Sequence, residues 1–328
     1  MKKLLSLALC MGLLLSGCSS KENKENDDMT HIGILQIMAH GSLDQAYEGF
    51  KAAMTEEGFI EGENVIYDLQ VGTNSTDTLT SMAQKLVADK NDAILAIGTG
   101  AAQTLSNETS DIPIVGSSIT DYVEAGLVDS NEKPGGNVTG MSDAAPIEKQ
   151  IELLTMLAPE AKTIGILYTS SEINSEIQAN QAKKAIEGLG LKCEIKTIAD
   201  QTTITDTLTS MADDIDALYI PSDNVIASAM GAVEQITCDE KIPCVVAVEE
   251  MCKDGGLATY GISYYKLGEE TGHMMAKILR GEAKPESMPI GILDSKDAIT
   301  IYNPNVLNKL GLTLPDNLKE SAQALDVE

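Results

Sequence analysis

The eight residues TDTLTSMA occur twice in this chain, from Thr76 to Ala83 and again from Thr205 to Ala212, 129 positions later. A match of that length points to duplication, and a duplication leaves landmarks in its flanks. They are present in the same order: IGIL at Ile32 and at Ile164, DAILAIGTGAAQTL from Asp92 and DALYIPSDNVIASA from Asp216, IPIV at Ile112 and IPCV at Ile242, AGL at Ala125 and GGL at Gly255. The period is far too long for a solenoid unit, so each copy is expected to be a lobe with its own sheet. A chain of 328 residues can bury two moderate cores.

Each half alternates short apolar strands with helices. HIGILQIMA leads through a polar turn into QAYEGFKAAMTEEGF, where Ala46, Phe50, Ala53 and Met54 recur at helical spacing. NVIYDLQV is the next strand, and the repeat then supplies a helix whose Thr76 and Asp77 can cap it. Leu79, Met82, Ala83 and Leu86 form the apolar stripe of that helix. DAILAIG and IPIVGSS follow as strands, and the second half runs in parallel through TIGILYT, KCEIKTI, DALYIPS and IPCVVAV. The pattern predicts an α/β protein of two doubly wound, Rossmann-like lobes facing one cleft, a clamshell. The expected lobes are residues 30–143 with part of 264–290, and residues 144–263 with part of 291–328. Asn131–Pro146, rich in Gly and Pro, reads as the first crossing between them. The absence of Trp and the presence of only 9 Tyr and 2 Phe leave the cores to Ile, Leu, Val, Ala and Met.

The first residues are a different object. Lys2 and Lys3 precede an apolar run from Leu4 to Leu15 and then LSGC, ending at Cys18. A run this short does not span a bilayer, which takes about 20 residues, and small residues before a cysteine fit signal-peptidase cleavage. Residues 1–17 are therefore expected to be a signal peptide, Cys18 the lipidated first residue of the mature chain, and residues 18–29 a polar tether with too little apolar content to fold. Formal charge is −27, or −29 once the two leader lysines are gone. No basic stripe exists to neutralise phosphates, which argues against a nucleic-acid partner. The same charge would be repelled by anionic lipid, so an acyl chain rather than electrostatics must hold the protein at a membrane.

The mature chain keeps Cys193, Cys238, Cys244 and Cys252, and four thiols allow three pairings. Cys193 and Cys244 sit in strand patterns as buried residues. With no CxxC pair and only three histidines, a metal site is not expected.

Ligands of open parallel sheets sit beyond the carboxyl ends of the strands. The candidate binding residues at those ends are His40, Ser42 and Asp44 after the first strand, Thr99, Ala101 and Ala102 after the third, and Ser117, Thr120 and Asp121 after the fourth. The second lobe offers Tyr168, the group Ser222, Asp223 and Asn224, then Glu249 and Tyr260. GTGAAQ places Gln103 where a dinucleotide fingerprint needs its third glycine, so no cofactor is expected. Thr99 with the free N–H groups of Ala101 and Ala102 suits a carboxylate at a helix N-terminus. Asp223 could accept an ammonium, with Glu249, Glu250 and Asp121 as rival acids; equally, Asp223 could be an ordinary helix cap. No GxSxG elbow accompanies Ser42, Ser117, Ser118 or Ser222, and no nucleophile and base pair assembles, so the chain is not expected to be an enzyme.

The chain resembles the solute-binding lipoproteins of ABC importers, in the family that includes tryptophan- and tyrosine-binding members. The resemblance covers nearly the whole mature chain and rests on LDQAYEGFKAAM, IGTGAAQTL, IPIVGSSITDYVEAGLV, KPGGNVTGMSD, KQIELLTMLAPEAKTIGILY, DALYIPSDNVIASA and DGGLATYGISYYKLGEETGHMMAKIL. It implies a periplasmic-binding-protein type I clamshell that binds an α-amino acid, an aromatic one such as tyrosine, tryptophan or phenylalanine. It further implies delivery of that solute to a permease and its ATPase from a lipid-anchored position on the extracytoplasmic face of the cell membrane. Two departures concern the ligand. The first turn, which in the family reads like EHPALD, is AHGSLD here, and a strand that usually ends in Phe-Ala-Ser reads VVAVEE. A surface adhesin or ligand sensor on the same fold is the alternative reading.

Overall fold

A computed structural model describes residues 29–144, 146–294 and 298–326. The expected signal peptide and Cys18 lie outside them. Runs of Ile, Leu, Val and Ala too short for helices, separated by helices of amphipathic pattern, form two sheets. The first contains β1 (Thr30–Gln36), β2 (Val65–Val71), β3 (Ala93–Ile97), β4 (Ile114–Ile119) and β5 (Val138–Ser142). These lie in the order β2-β1-β3-β4-β5, every pairing parallel. The second repeats that order with β6 (Thr163–Thr169), β7 (Lys192–Ile198), β8 (Ala217–Ile220), β9 (Cys244–Val246) and β10 (Ala258–Gly261), as β7-β6-β8-β9-β10. The duplicated sequence is thus a duplicated topology. Both sheets have their switch point beside the first strand of the copy, where helices leave to opposite faces.

Fully buried strands such as β3, with all five residues buried, are covered on both faces by helices. In the first lobe these include α1 (Gly41–Glu56), α2 (Thr76–Ala88) and α3 (Thr99–Glu108). In the second they include α4 (Ile147–Leu157), α5 (Ile173–Gly188), α6 (Ile204–Ala212), α7 (Asn224–Ala227), α8 (Met230–Asp239) and α9 (Glu249–Lys253). The repeated octapeptide forms α6 and most of the first two turns of α2, and Leu79, Ala83 and Leu86 pack into the core. Thr76 and Asp77 do not cap α2; Ser75 is the N-cap residue and its side chain makes no capping bond.

After β10 the chain returns to the first lobe. The helix α10 (Tyr264–Leu279) packs along α1, and β11 (Gly291–Ile292) pairs with β5 at the edge of the first sheet. The chain then crosses again, and β12 (Ile299–Tyr302) joins β10 antiparallel, with β13 (Ala322–Ala324) outside it and α11 (Pro304–Leu310) between. The α1–α10 contact is backbone to backbone: a Cβ at Gly49 would overlap the Tyr265 carbonyl oxygen, and one at Gly268 the Ala46 carbonyl oxygen. At the far end Glu57 accepts from Arg280 and pairs with His273, each at 2.7 Å.

The Gly/Pro-rich stretch read as a crossing is largely part of the first lobe, because it contains β5. Glycine is needed there for close approach. Gly140 has φ +148°, and a side chain on it would collide with the Gly116 backbone and with the Tyr122 hydroxyl, which donates to the Met141 carbonyl. The four cysteines among the described residues are free; Cys244 and Cys252 are buried, while Cys193, on edge strand β7, is only half-buried.

Candidate functional site

The carboxyl ends of strands from both lobes converge on one cavity. Nearly every strand end contributes to its wall. His40, Ser42 and Leu43 follow β1, Thr99 follows β3, Ser118 and Thr120 end β4, and Asp143 follows β5. From the other lobe come Asn174 after β6, Ser222, Asp223 and Asn224 after β8, and Val248 and Met251 around the start of α9. Tyr264, the first residue of α10, stands where the chain returns to the first lobe.

The two lobes touch across this site. His40 Nε2 lies 3.0 Å from the amide oxygen of Asn224, Asn74 donates to Glu172 at 3.0 Å, and Gln178 donates to the Thr120 hydroxyl at 3.3 Å. Because Asn224 presents its oxygen to the ring, His40 donates through Nε2 and is left with a lone pair on Nδ1. Burial pushes the His40 pKa down, which keeps that ring neutral.

Five polar atoms buried on the cavity wall have no hydrogen-bond partner in the protein: His40 Nδ1, Ser42 Oγ, Ser118 Oγ, Asp143 Oδ1 and Ser222 Oγ. Leaving a buried polar group unpaired costs about 1 to 3 kcal/mol. Their concentration on one wall marks a place built for a polar partner. Ser118 adds backbone strain, holding φ +59° where a non-glycine residue is rare.

Asp143 is the pivotal acid. It is 4% exposed; its Oδ2 accepts the Tyr264 hydroxyl at 2.5 Å and its Oδ1 stays free. Burial raises its pKa, and the Tyr264 bond only partly opposes that. The N-termini of α1 and α3, neither of which has a side-chain cap, contribute Ser42 and Thr99 to the same cavity. Their unpaired N–H groups and positive dipole ends suit an anion. The site therefore carries a negative pole at Asp143 and a positive pole at the head of α1, with Leu43, Ala227, Val248 and Met251 as apolar surface between polar walls.

Of the residues singled out from the sequence, His40, Ser42, Thr99, Thr120, Ser222, Asp223 and Asn224 line the cavity. Asp223 lines it with a fully engaged carboxylate: Oδ2 accepts from Thr169 N at 2.6 Å, and Oδ1 from Thr169 Oγ1 at 2.8 Å and Ile226 N at 2.9 Å. Geometrically it is the cap of α7, which favours the helix-cap alternative over a free ammonium partner. The others lie elsewhere. Asp44 accepts from Gln36, and Asp121 accepts from the backbone of Val123 and Glu124 in its own turn. Ala101 and Ala102 are packed in the first core, Ser117 is buried one residue short of the cavity wall, and Tyr168 and Tyr260 are half-buried against the second core. Glu249 lines a separate shallow pocket with Gln45 and Tyr265. Sequence reasoning considered Ser118 only as a nucleophile without an elbow, and missed Asp143, Asn174 and Tyr264. Asp143 had a usable signal, an acid directly after a strand, but that strand had been taken for a linker.

Comparison with known proteins agrees with this architecture. A family model described as ABC transporter substrate binding protein matches residues 31–325. A tyrosine-binding protein of Clostridioides difficile (strain R20291) is 39% identical over 97% of this chain and 95% of its own length. A Streptococcus pneumonia structure described as an ABC domain in complex with L-Trp is 37% identical, covers 90% of this chain and 100% of its own, and superposes with a TM-score of 0.86. The ligand-free, open structure of a Clostridium difficile substrate binding protein with adhesive properties is 40% identical, with coverage of 92% and 100%, and a TM-score of 0.69. Similarity in shape is lower for the open form although sequence identity is not.

Proposed function

The chain belongs to the substrate-binding proteins of ABC transporters, a non-enzymatic family with the type I periplasmic-binding-protein fold, and on that premise we propose that it binds a free α-amino acid with an aromatic side chain between its lobes. One observation carries the reading: the unpaired Asp143 Oδ1 lines the same cavity as Ser42 and Thr99, which stand in the first turns of two helices without side-chain caps. An α-amino acid is the small solute that carries an ammonium and a carboxylate a few ångströms apart. Its ammonium meets Asp143 and the His40 Nδ1 lone pair, and its carboxylate meets the first turn of α1 with the hydroxyls of Ser42 and Thr99. The zwitterion is thereby held by the first lobe, to which Asp143, His40, Ser42 and Thr99 all belong, and the closed arrangement is favoured by the solute's contacts with Ser222, Ala227, Val248 and Met251 of the second. The relatives that bind tyrosine or tryptophan support an aromatic side chain, which would lie against Leu43, Ala227, Val248 and Met251.

The protein is held on the extracytoplasmic face by lipid at Cys18 and delivers its solute to a permease served by an ATPase. The LSGC motif and the polar residues after it support the anchor. A thermal-shift screen of the twenty amino acids, followed by calorimetric titration of those that stabilise, tests the ligand. Stabilisation by tyrosine, tryptophan or phenylalanine is expected, and no response to any α-amino acid would refute the reading. A second, adhesive role is favoured by one finding, the 40% identical relative described as having adhesive properties. It would appear as cell attachment that persists in a binding-dead variant.

A further inference from the structure

Glu172 is the most completely buried acid that the binding site itself does not use. It sits at the turn from β6 into α5, 4% exposed, and is not on the cavity wall. It reaches that wall through two residues that are. Its Oε2 accepts from Asn224 N at 3.0 Å, Asn224 Nδ2 at 2.7 Å and Asn174 Nδ2 at 3.1 Å. Its Oε1 accepts from Asn74 Nδ2 at 3.0 Å, and Asn74 belongs to the opposite lobe. Asn224 in turn holds His40, again of the opposite lobe. One carboxylate is therefore the centre of a relay, Asn74–Glu172–Asn224–His40, whose two outer members are on the first lobe and whose two inner members are on the second. Asn74 is itself held in position, with φ +57° and its N–H donated to the Ile37 carbonyl.

We propose that Glu172 is a closure-coupled positioning residue: it fixes Asn174 and Asn224 on the cavity wall and takes Asn74 as a partner only when the lobes meet, so that ligand retention depends on a latch outside the ligand's own contacts. The proposal rests on the reading of the cleft as a ligand site. Separating the lobes breaks both outer bonds and returns one oxygen of Glu172 to water.

The latch is also a proton switch. In the closed structure burial, and after it the neighbouring Asp223, push the Glu172 pKa up to about 8, against hydrogen bonds from Asn224 and Asn174 that favour the charged form. The ionisable groups around the relay are Asp223 on the β8–α7 turn and His40 at the head of α1; Asp44 and Asp254 act on His40 from further away. Opening relieves the burial, so the open state holds the proton less tightly than the closed one. Closure is then strongest below the open-state pKa and weakens as pH rises through about 8. One proton exchanged sets an upper slope of about tenfold per pH unit.

The test uses the mature protein with L-tyrosine and L-tryptophan as probes, in the wild type, Asn74→Ala and Glu172→Gln. Stopped-flow dissociation rates are measured at pH 6, 7 and 9. Asn74 does not line the cavity, so loss of a ligand contact cannot explain its effect. Asn74→Ala should speed dissociation by roughly two- to tenfold, the net worth of one ordinary hydrogen bond, with association within about twofold of wild type. Wild-type dissociation should accelerate from pH 6 to 9, and Glu172→Gln should be flat. An unchanged rate in Asn74→Ala, or a pH profile shared by wild type and Glu172→Gln, would overturn the proposal. If neither amino acid binds the wild type, the ligand reading fails on its own, and small-angle scattering without ligand decides the latch. A wild type more extended at pH 9 than at pH 6, beside a pH-insensitive Glu172→Gln, supports it; identical profiles refute it. Should Glu172→Gln not fold, Asn74→Ala in the opposite lobe carries the same comparison.

Discussion

Replacing Asp143 by Asn separates a ligand-binding acid from a structural one, because the two oxygens of Asp143 do different work. Oδ2 accepts the Tyr264 hydroxyl at 2.5 Å, and an Asn oxygen can keep that bond. Oδ1 makes no bond within the protein, so the amide group placed there breaks nothing in the free molecule but presents N–H donors to an ammonium. Removing one partner of a buried charge pair costs about 3 to 5 kcal/mol. That predicts weakening of affinity by roughly two to three and a half orders of magnitude. Stability should move the other way. The pKa of Asp143 is raised by burial in the folded state, so its contribution is fully favourable below the unfolded carboxyl value and is lost as pH rises through the folded one. The Asn variant has no charge to bury and should melt at or above the wild-type temperature at pH 7, with a flatter pH dependence. Calorimetric titration with L-tyrosine and L-tryptophan, alongside melting curves at pH 5 and 8, measures both. Affinity within a factor of three of wild type would remove Asp143 from the ammonium site; a large fall in melting temperature would show that Asp143 is structural instead.

Asp223→Ala should show the opposite profile. It uncaps α7 and leaves Thr169 N and Ile226 N without their acceptor, costing about 2 to 4 kcal/mol of stability in urea unfolding with a much smaller loss of affinity than Asp143→Asn. Gly268→Ala, although helix propensity favours Ala, should destabilise by about 1 to 3 kcal/mol because its Cβ would overlap the Ala46 carbonyl oxygen. Gly231→Ala, with nothing within 4 Å, is the control and should be neutral or slightly stabilising by the same assay. Cys18→Ala should release the protein from the membrane fraction, and intact mass should show the acyl group lost.

The division into two doubly wound sheets was legible because a duplicated chain writes its pattern twice. A weak strand such as DALYIP is identified by its partner DAILAIG as much as by its own residues. The ends of the strands followed from topology, and with them His40, Ser42, Thr99 and Ser222. What was not legible depended on direction rather than position. Ser117 and Ser118 are adjacent, and only the left-handed backbone at Ser118 decides which hydroxyl faces the ligand. Glu172 lies four residues beyond the candidate Tyr168, and its importance comes from Asn74, 98 residues away in the other lobe. Asp143 was hidden because NVTGMS, with its glycine and asparagine, has the composition of a loop. It is a strand because it pairs with β4 and β11, and Gly140 leaves the room there that the Tyr122 hydroxyl fills.

The helix that covers α1 has a temporal consequence. Ala46, Phe50, Ala53 and Met54 are made early, yet their cover, α10, is synthesised after almost the whole second lobe, and the Arg280–Glu57 pair that secures it spans 223 residues. Contacts of such separation form late. A growing chain that ends before Tyr264 would hold all five parallel strands of its first sheet that precede the crossing and still expose an apolar helix face. That face is where a nascent chain of this protein would stick to itself or need a chaperone, and it stays so until the last fifth of the chain has emerged.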